Sequence, residues 1–281
     1  MKNQLLLFMI ISIFFIPLVS SFVDTFKNCD TSESQGSPNQ ILYNGDSRDK
    51  IDLVIIGEGY SNKNFNELVQ EAFFGEEGFF STEPYKSMKD HFNIWSINTG
   101  SWDISDKDAL CEWGVTPHYV KYLLKANSEL LKNGLSFADR KILLTSSKSM
   151  WPTGWQGMVM ISPTCYKSSL GKTLTHEMGH AFGLEDEYIV AGGSLKGINC
   201  ASDQSQAENL WGSFAGQGDQ GINKKDNSLT TGYFSDGCTT PSGIRSVYNG
   251  IMRSQTQVSL WERGYGEYNI NLLTNKIEAI K

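Results

Sequence analysis

Two histidines four residues apart, a glycine three further on and an acid three beyond that constrain this chain more than any other stretch. They stand in HEMGHAFGLEDEY, His176 to Tyr188. Residues four apart on a helix lie on one face, so His176 and His180 present two imidazole nitrogens to one point. Zinc takes such nitrogens at roughly 2.0 to 2.1 Å, and a catalytic zinc needs a third protein ligand and one open position. Gly183 sits where a helix ending in left-handed conformation needs a residue without a Cβ. The turn brings the next residues back toward the histidines. This local geometry calls for a helix with a sharp reversal after it.

Three acids follow the reversal. Asp186 completes H-E-x-x-H-x-x-G-x-x-D, the metzincin spacing with aspartate in place of the final histidine, and is the expected third ligand. Glu185 and Glu187 fall one residue out of that register, which leaves Glu187 to anchor a supporting hydrogen bond. Glu177 is offset by about 100° around the helix from His176 and so reaches a bound water more readily than the metal. Its expected role is general base. Far downstream, YNGIMRS places Met252 in a polar stretch, where the metzincin pattern has a methionine turn under the metal. Two other readings stay open. Thermolysin-like enzymes take a glutamate from a later helix, which Glu208 in QAENLW would imitate, and a buried core helix with two satisfied histidines would hold no metal at all. His91 and His118 stand alone and read as ordinary structural or surface histidines.

Composition narrows the partners. The chain has 281 residues, 40% of them hydrophobic, and a formal charge of −7. Such an acidic balance offers no clustered Lys and Arg for nucleic acid or anionic lipid. MKNQLLLFMIISIFFIPLVSS has the charge, apolar run and small residues of a secretory leader, with removal after Ser21 expected. The mature protein is then expected outside the cytosol, secreted or periplasmic, with no membrane association. An oxidising compartment lets disulfides persist. Five cysteines then read as structural bridges, with Cys111 expected to pair with Cys165 and Cys200 with Cys238, leaving Cys29. An unpaired Cys29 ahead of the site would be able to place a thiolate on zinc and block it, although no switch motif surrounds it.

The remaining pattern predicts an α+β fold. Residues 22–48 are polar and without apolar period, an N-terminal arm; one catalytic domain is expected over 49–281, with an upper part 49–183 and a lower part 184–281. IDLVIIGEG from Ile51 is a buried strand, and Phe65, Leu68, Val69, Ala72 and Phe73 line one face of a helix. HFNIWSIN is a second strand. Thr116 caps a helix with Pro117 at its first position and an apolar face through Val120, Leu123, Leu124 and Leu131. Strands near Lys141 and Gly157 complete a mixed, largely parallel twisted sheet with packed helices. From Gly192 to Gly243 the chain reads mostly as loop, and Ile270 to Ile280 as a closing helix. Asp and Gly in QGDQGINKKDN match no calcium loop, so a solvated turn is favoured there.

Taken together, Gly57-Glu58-Gly59-Tyr60, EPYKSMKDHFNIWSINTGS, HEMGHAFGLEDEY and IMR resemble the IgA-peptidase family of secreted zinc metallopeptidases. The likeness runs from about residue 50 to the Met252 region. It implies a metzincin-like domain, one zinc ion on His176, His180 and Asp186, Glu177 as catalytic acid, and protein or peptide substrates. Glu58 departs from an aspartate in the family pattern, and the stretch between Leu144 and Gly157 is longer and richer in tryptophan. Two functions compete: a secreted zinc endopeptidase, and a catalytically silent zinc-containing module that binds protein or glycan through its loops.

Overall fold

The computed structural model describes residues 37–102, 111, 117–147, 151–155, 157–163, 165, 169–190, 197–217, 229–253 and 264–280, all within the unit Gln35–Lys281. The expected leader, Cys29, Thr116 and residues 218–227 of the calcium candidate lie outside the described residues.

A six-stranded mixed sheet is the scaffold. In chain order its strands are β1 (Asn39–Leu42), β2 (Ile51–Glu58), β3 (Phe92–Asn98), β4 (Arg140–Thr145), β5 (Thr153–Trp155) and β6 (Met158–Ile161), arranged β1-β3-β2-β4-β6-β5. The four inner strands run parallel, and β1 and β5 close the two edges antiparallel. Every residue of β2 is buried, as a parallel strand covered on both faces requires. Alternation then splits its side chains between two cores. Ile51, Leu53 and Ile55 join Phe65, Val69 and Phe73 of α1 (Asn62–Phe74), while Val54 and Ile56 meet α2 (Pro117–Lys132) on the other face. On the α1 side lies α3 (Leu170–Ala181), which carries the histidine pair and contributes Leu170, Leu174 and Met178. The Ser61 and Ser169 hydroxyls cap α1 and α3 by accepting the N–H of Asn64 and Lys172.

Three elements differ from the sequence expectation. Residues 39–42, read as arm, form the edge strand β1. Its residues lack a two-residue apolar period because the register against β3 is interrupted by an irregularity between Gln40 and Leu42. Helix α2 buries His118, Tyr119, Tyr122, Ala126 and Leu130, whereas Val120, Leu124 and Leu131 are exposed. The tyrosines carry a larger apolar body than the aliphatics that suggested the opposite face. The supposed loop from Gly192 holds β7 (Cys200–Ala201), α4 (Gln204–Trp211), β8 (Phe234–Gly237) and β9 (Gly243–Arg245). These strands form a second sheet in the order β7-β9-β8. A small core of Ala201, Ala207, Trp211 and Tyr268 seals it against α5 (Glu267–Glu278). Both expected disulfides are present, Cys111–Cys165 and Cys200–Cys238. Among the described residues no helix is long and apolar enough to cross a membrane.

Candidate metal centre

The site begins with the packing of α3. Its residues from Leu170 to Gly179 are all buried, so the helix sits inside the molecule with His176 enclosed and His180 only slightly exposed. It ends at Ala181. Gly183 then adopts φ +99°, a conformation that a Cβ disfavours, and the N–H of Leu184 donates to the carbonyl of Gly179 at 2.9 Å. The reversal carries Asp186 back over the helix.

There its Oδ1 lies 3.3 Å from His176 Nε2 and 3.2 Å from His180 Nε2. One ligand atom from each of the three residues falls within 4.8 Å of the others. The far sides of both rings are fixed by main-chain carbonyls: His176 Nδ1 is 2.9 Å from Ile251 O, and His180 Nδ1 is 2.8 Å from Leu184 O. A carbonyl only accepts, which assigns a hydrogen to each Nδ1 and leaves Nε2 as the nitrogen that faces Asp186. Two imidazole Nε2 atoms and a carboxylate oxygen thus converge in a largely buried space, an arrangement that positive charge stabilises, whether a proton on an imidazole or a metal ion. Burial opposes a proton on His180, but the Asp186 carboxylate beside it overcomes this and pushes its pKa up to about 10. Burial likewise disfavours charge on Asp186, yet the two imidazoles hold its carboxyl well below the usual range. Two imidazole nitrogens and a carboxylate oxygen are a donor set that zinc accepts. The residues present thus fit a divalent cation.

Glu177 is 4% exposed and lies beside the trio. Burial raises its pKa, against the lowering influence of His176 and His180, and its carboxylate accepts the Gly154 N–H. That glycine is in edge strand β5, and a Cβ on it would stand 2.2 Å from the Glu177 carbonyl oxygen. The strand therefore packs directly on the helix at the acid. Tyr119 approaches from α2; burial and the Glu177 charge push its pKa up to about 12.

Beneath the helix runs a turn, Ile251–Arg253. Met252 is fully buried, and a Cβ on Gly179 would come 2.8 Å from its sulfur. The same turn offers Ile251 O to His176, and Met252 O accepts the Glu187 N–H at 2.8 Å. Glu187 turns away from the trio. Its Oε1 accepts from Asn269 at 2.8 Å and from Asn199 at 3.2 Å. Burial pushes its pKa up to about 7, although those amides and the charges of Arg245 and Arg253 act to lower it.

Glu208 does not join the site. It is exposed on α4, where its carboxylate accepts from Gln204 at 2.9 Å, so the segment is helical but points its acid into solvent. His91 pairs with Asp90, and His118 is buried in α2. Four residues around the site have no motif in the sequence to mark them: Gly154, Asn199, Asn269 and Tyr265, whose hydroxyl donates to the Thr175 carbonyl of α3. The only sequence signal for Gly154 is its place just before the apolar run that starts at Gly157; the others carry none.

The family model described as IgA Peptidase M64 matches residues 40–208. The match starts within β1, spans the sheet, α3 and the Asp186 loop, and stops before Met252. No curated protein matches the chain. With more than half of its length covered, including the stretch that brings two histidines and an aspartate together, the chain belongs to the IgA peptidase M64 family, a family of peptidases.

Proposed function

We propose that the protein is a secreted zinc-dependent endopeptidase of metzincin-like build, with His176, His180 and Asp186 as the metal ligands and Glu177 as the general base. The convergence of three donor atoms in a largely enclosed space, each imidazole oriented by a main-chain carbonyl, carries this reading. When bound there, zinc supplies a Lewis acid that lowers the pKa of water to about 7 and polarises a carbonyl.

The remaining work falls to the chain. Strand β5 is the sheet edge nearest Glu177, and an extended peptide laid along it gains main-chain hydrogen bonds as an added strand. Such pairing places a substrate carbonyl within reach of the acid. Glu177 takes a proton from the attacking water as the new C–O bond forms, then delivers it to the departing amine nitrogen as the C–N bond breaks. Met252 and the turn around it support α3 from below, holding His176 through Ile251 O. Secretion is supported by the leader-like start of the sequence and by two disulfides among the described residues.

Metal analysis of the purified protein beside Asp186→Ala and Glu208→Ala tests the ligand set, with hydrolysis of unfolded casein and a peptide library followed in parallel. One zinc per chain is expected in the wild type and in Glu208→Ala, with substoichiometric zinc and much weakened but measurable affinity in Asp186→Ala. Zinc-loaded protein that leaves every substrate intact would favour the binding-module alternative.

A further inference from the structure

Asp186 lies on a stretch without helical or strand hydrogen bonds, so something else must hold it in place. The residues on either side of it share one partner. The Asn199 side chain is fully buried and accepts the Glu185 N–H on Oδ1 at 2.7 Å. Its Nδ2 donates to the Glu185 carbonyl at 3.0 Å and to Glu187 Oε1 at 3.2 Å. A single amide thus satisfies both backbone groups of the residue before Asp186 and grips the side chain of the residue after it.

Asn199 is itself anchored, because the next residue is Cys200, bridged to Cys238. On the other half of that bridge, Thr239 continues the stitching: its N–H donates to Tyr188 O at 2.8 Å, and its carbonyl accepts the Val190 N–H at 3.2 Å. We infer that Asn199 is the positioning residue that sets the Asp186 carboxylate against His176 and His180, with the Cys200–Cys238 bridge as its anchor. The inference rests on the zinc-site reading given above. An aspartate at 199 keeps the shape of the side chain but only accepts, so it would meet the Glu185 carbonyl and the Glu187 carboxylate with repulsion where the amide makes bonds.

The test is a double-mutant cycle on zinc affinity, measured by competition with a chromophoric chelator for wild type, N199D, D186A and N199D/D186A. N199D is expected to weaken zinc binding by about 10- to 100-fold. In the D186A background it should cost less than about twofold, because its effect passes through Asp186. The visible spectrum of the cobalt-substituted N199D protein should shift toward that of D186A. A merely structural role would weaken binding equally in both backgrounds, and that result overturns the inference, as does N199D affinity equal to wild type. A wild type that takes up no zinc overturns the zinc-site reading and this inference with it. If metal-free N199D does not melt cooperatively, N199S goes through the same cycle and is judged by the same outcomes.

Discussion

His176 and His180 stand on a helix, Asp186 on a loop, and different forces hold the two. The helix is fixed by apolar burial: Leu174 and Met178 are inaccessible to solvent and sit in the same core as Leu53, Ile55 and Phe65. The loop has little such packing beyond Leu184 and is fixed by polar groups, the Asn199 amide, the Met252 carbonyl and the Arg253 guanidinium, which donates to Glu187 O at 3.0 Å. Apolar packing is non-directional and tolerates small adjustments, whereas each hydrogen bond here sets one atom in one place. One half of the donor set is therefore secured by the stability of the whole domain, and the other by a few specific contacts.

The largest expected effect tests whether the helix supplies a catalytic acid as well as the proposed ligands. Glu177→Gln preserves shape and buried volume but cannot accept a proton. Peptide hydrolysis should fall by about 10²- to 10⁴-fold, with zinc content unchanged. Steady-state kinetics beside metal analysis checks both. Activity within a few-fold of wild type would remove Glu177 from the chemistry and leave α3 as a metal holder only.

Leu174→Ala addresses the apolar half of the contrast. Truncating a fully buried leucine should destabilise the fold by about 2 to 5 kcal/mol, read as a lower denaturant midpoint. Zinc affinity of the folded protein should stay close to wild type, since the hydrogen bonds at the histidine Nδ1 atoms are untouched. Replacing Cys200 and Cys238 together by serine strikes the polar half. It should cost about 2 to 4 kcal/mol, and amide exchange at Tyr188 to Val190 should accelerate along with weakened zinc binding. If Leu174→Ala disturbs zinc binding more than loss of the disulfide does, the division between the two halves is wrong.

The same contrast explains what was legible in the sequence. Strand β2 announces itself as an unbroken apolar run because it is covered on both faces, and α1 as a clean 3.6-residue period ending at Gly75. The choice of Asp186 over its neighbours followed from one turn, since Gly183 fixes which residue comes back over the histidines. Helix α2 misled because its inward face is built from Tyr119 and Tyr122, whose hydroxyls disguise two large apolar rings. The region after Gly192 was opaque for another reason. Among the described residues its core has four buried members, two of them alanines, and its order comes also from a disulfide and from side-chain amides that no periodicity encodes. Asn199 and Asn269 do their work through contacts 12 or more residues away in sequence, and single-sequence patterns do not reach that far.

The smallest expected effect lies where the helix half itself borrows a polar tie. Lys172, buried in the first turn of α3, forms an ion pair with Glu77, which follows α1. That hydrogen bond holds the Glu77 carboxyl below its ordinary value, against a smaller opposing influence of burial. A carboxyl depressed in the folded state contributes stability above its unfolded pKa of about 4.3, and the contribution is lost as pH falls through the folded value. Glu77→Gln should therefore flatten the acid limb of the stability curve below about pH 4.3 and leave the neutral region nearly parallel to wild type. Because the Glu77 side chain is 44% exposed, solvent screening keeps the effect under about 1 kcal/mol. Denaturant melts from pH 3 to 7 on both proteins measure it. A larger loss, uniform across that range, would mean that the start of α3 depends on this ion pair as much as the Asp186 loop depends on Asn199, and the helix would then share the loop's reliance on single polar contacts.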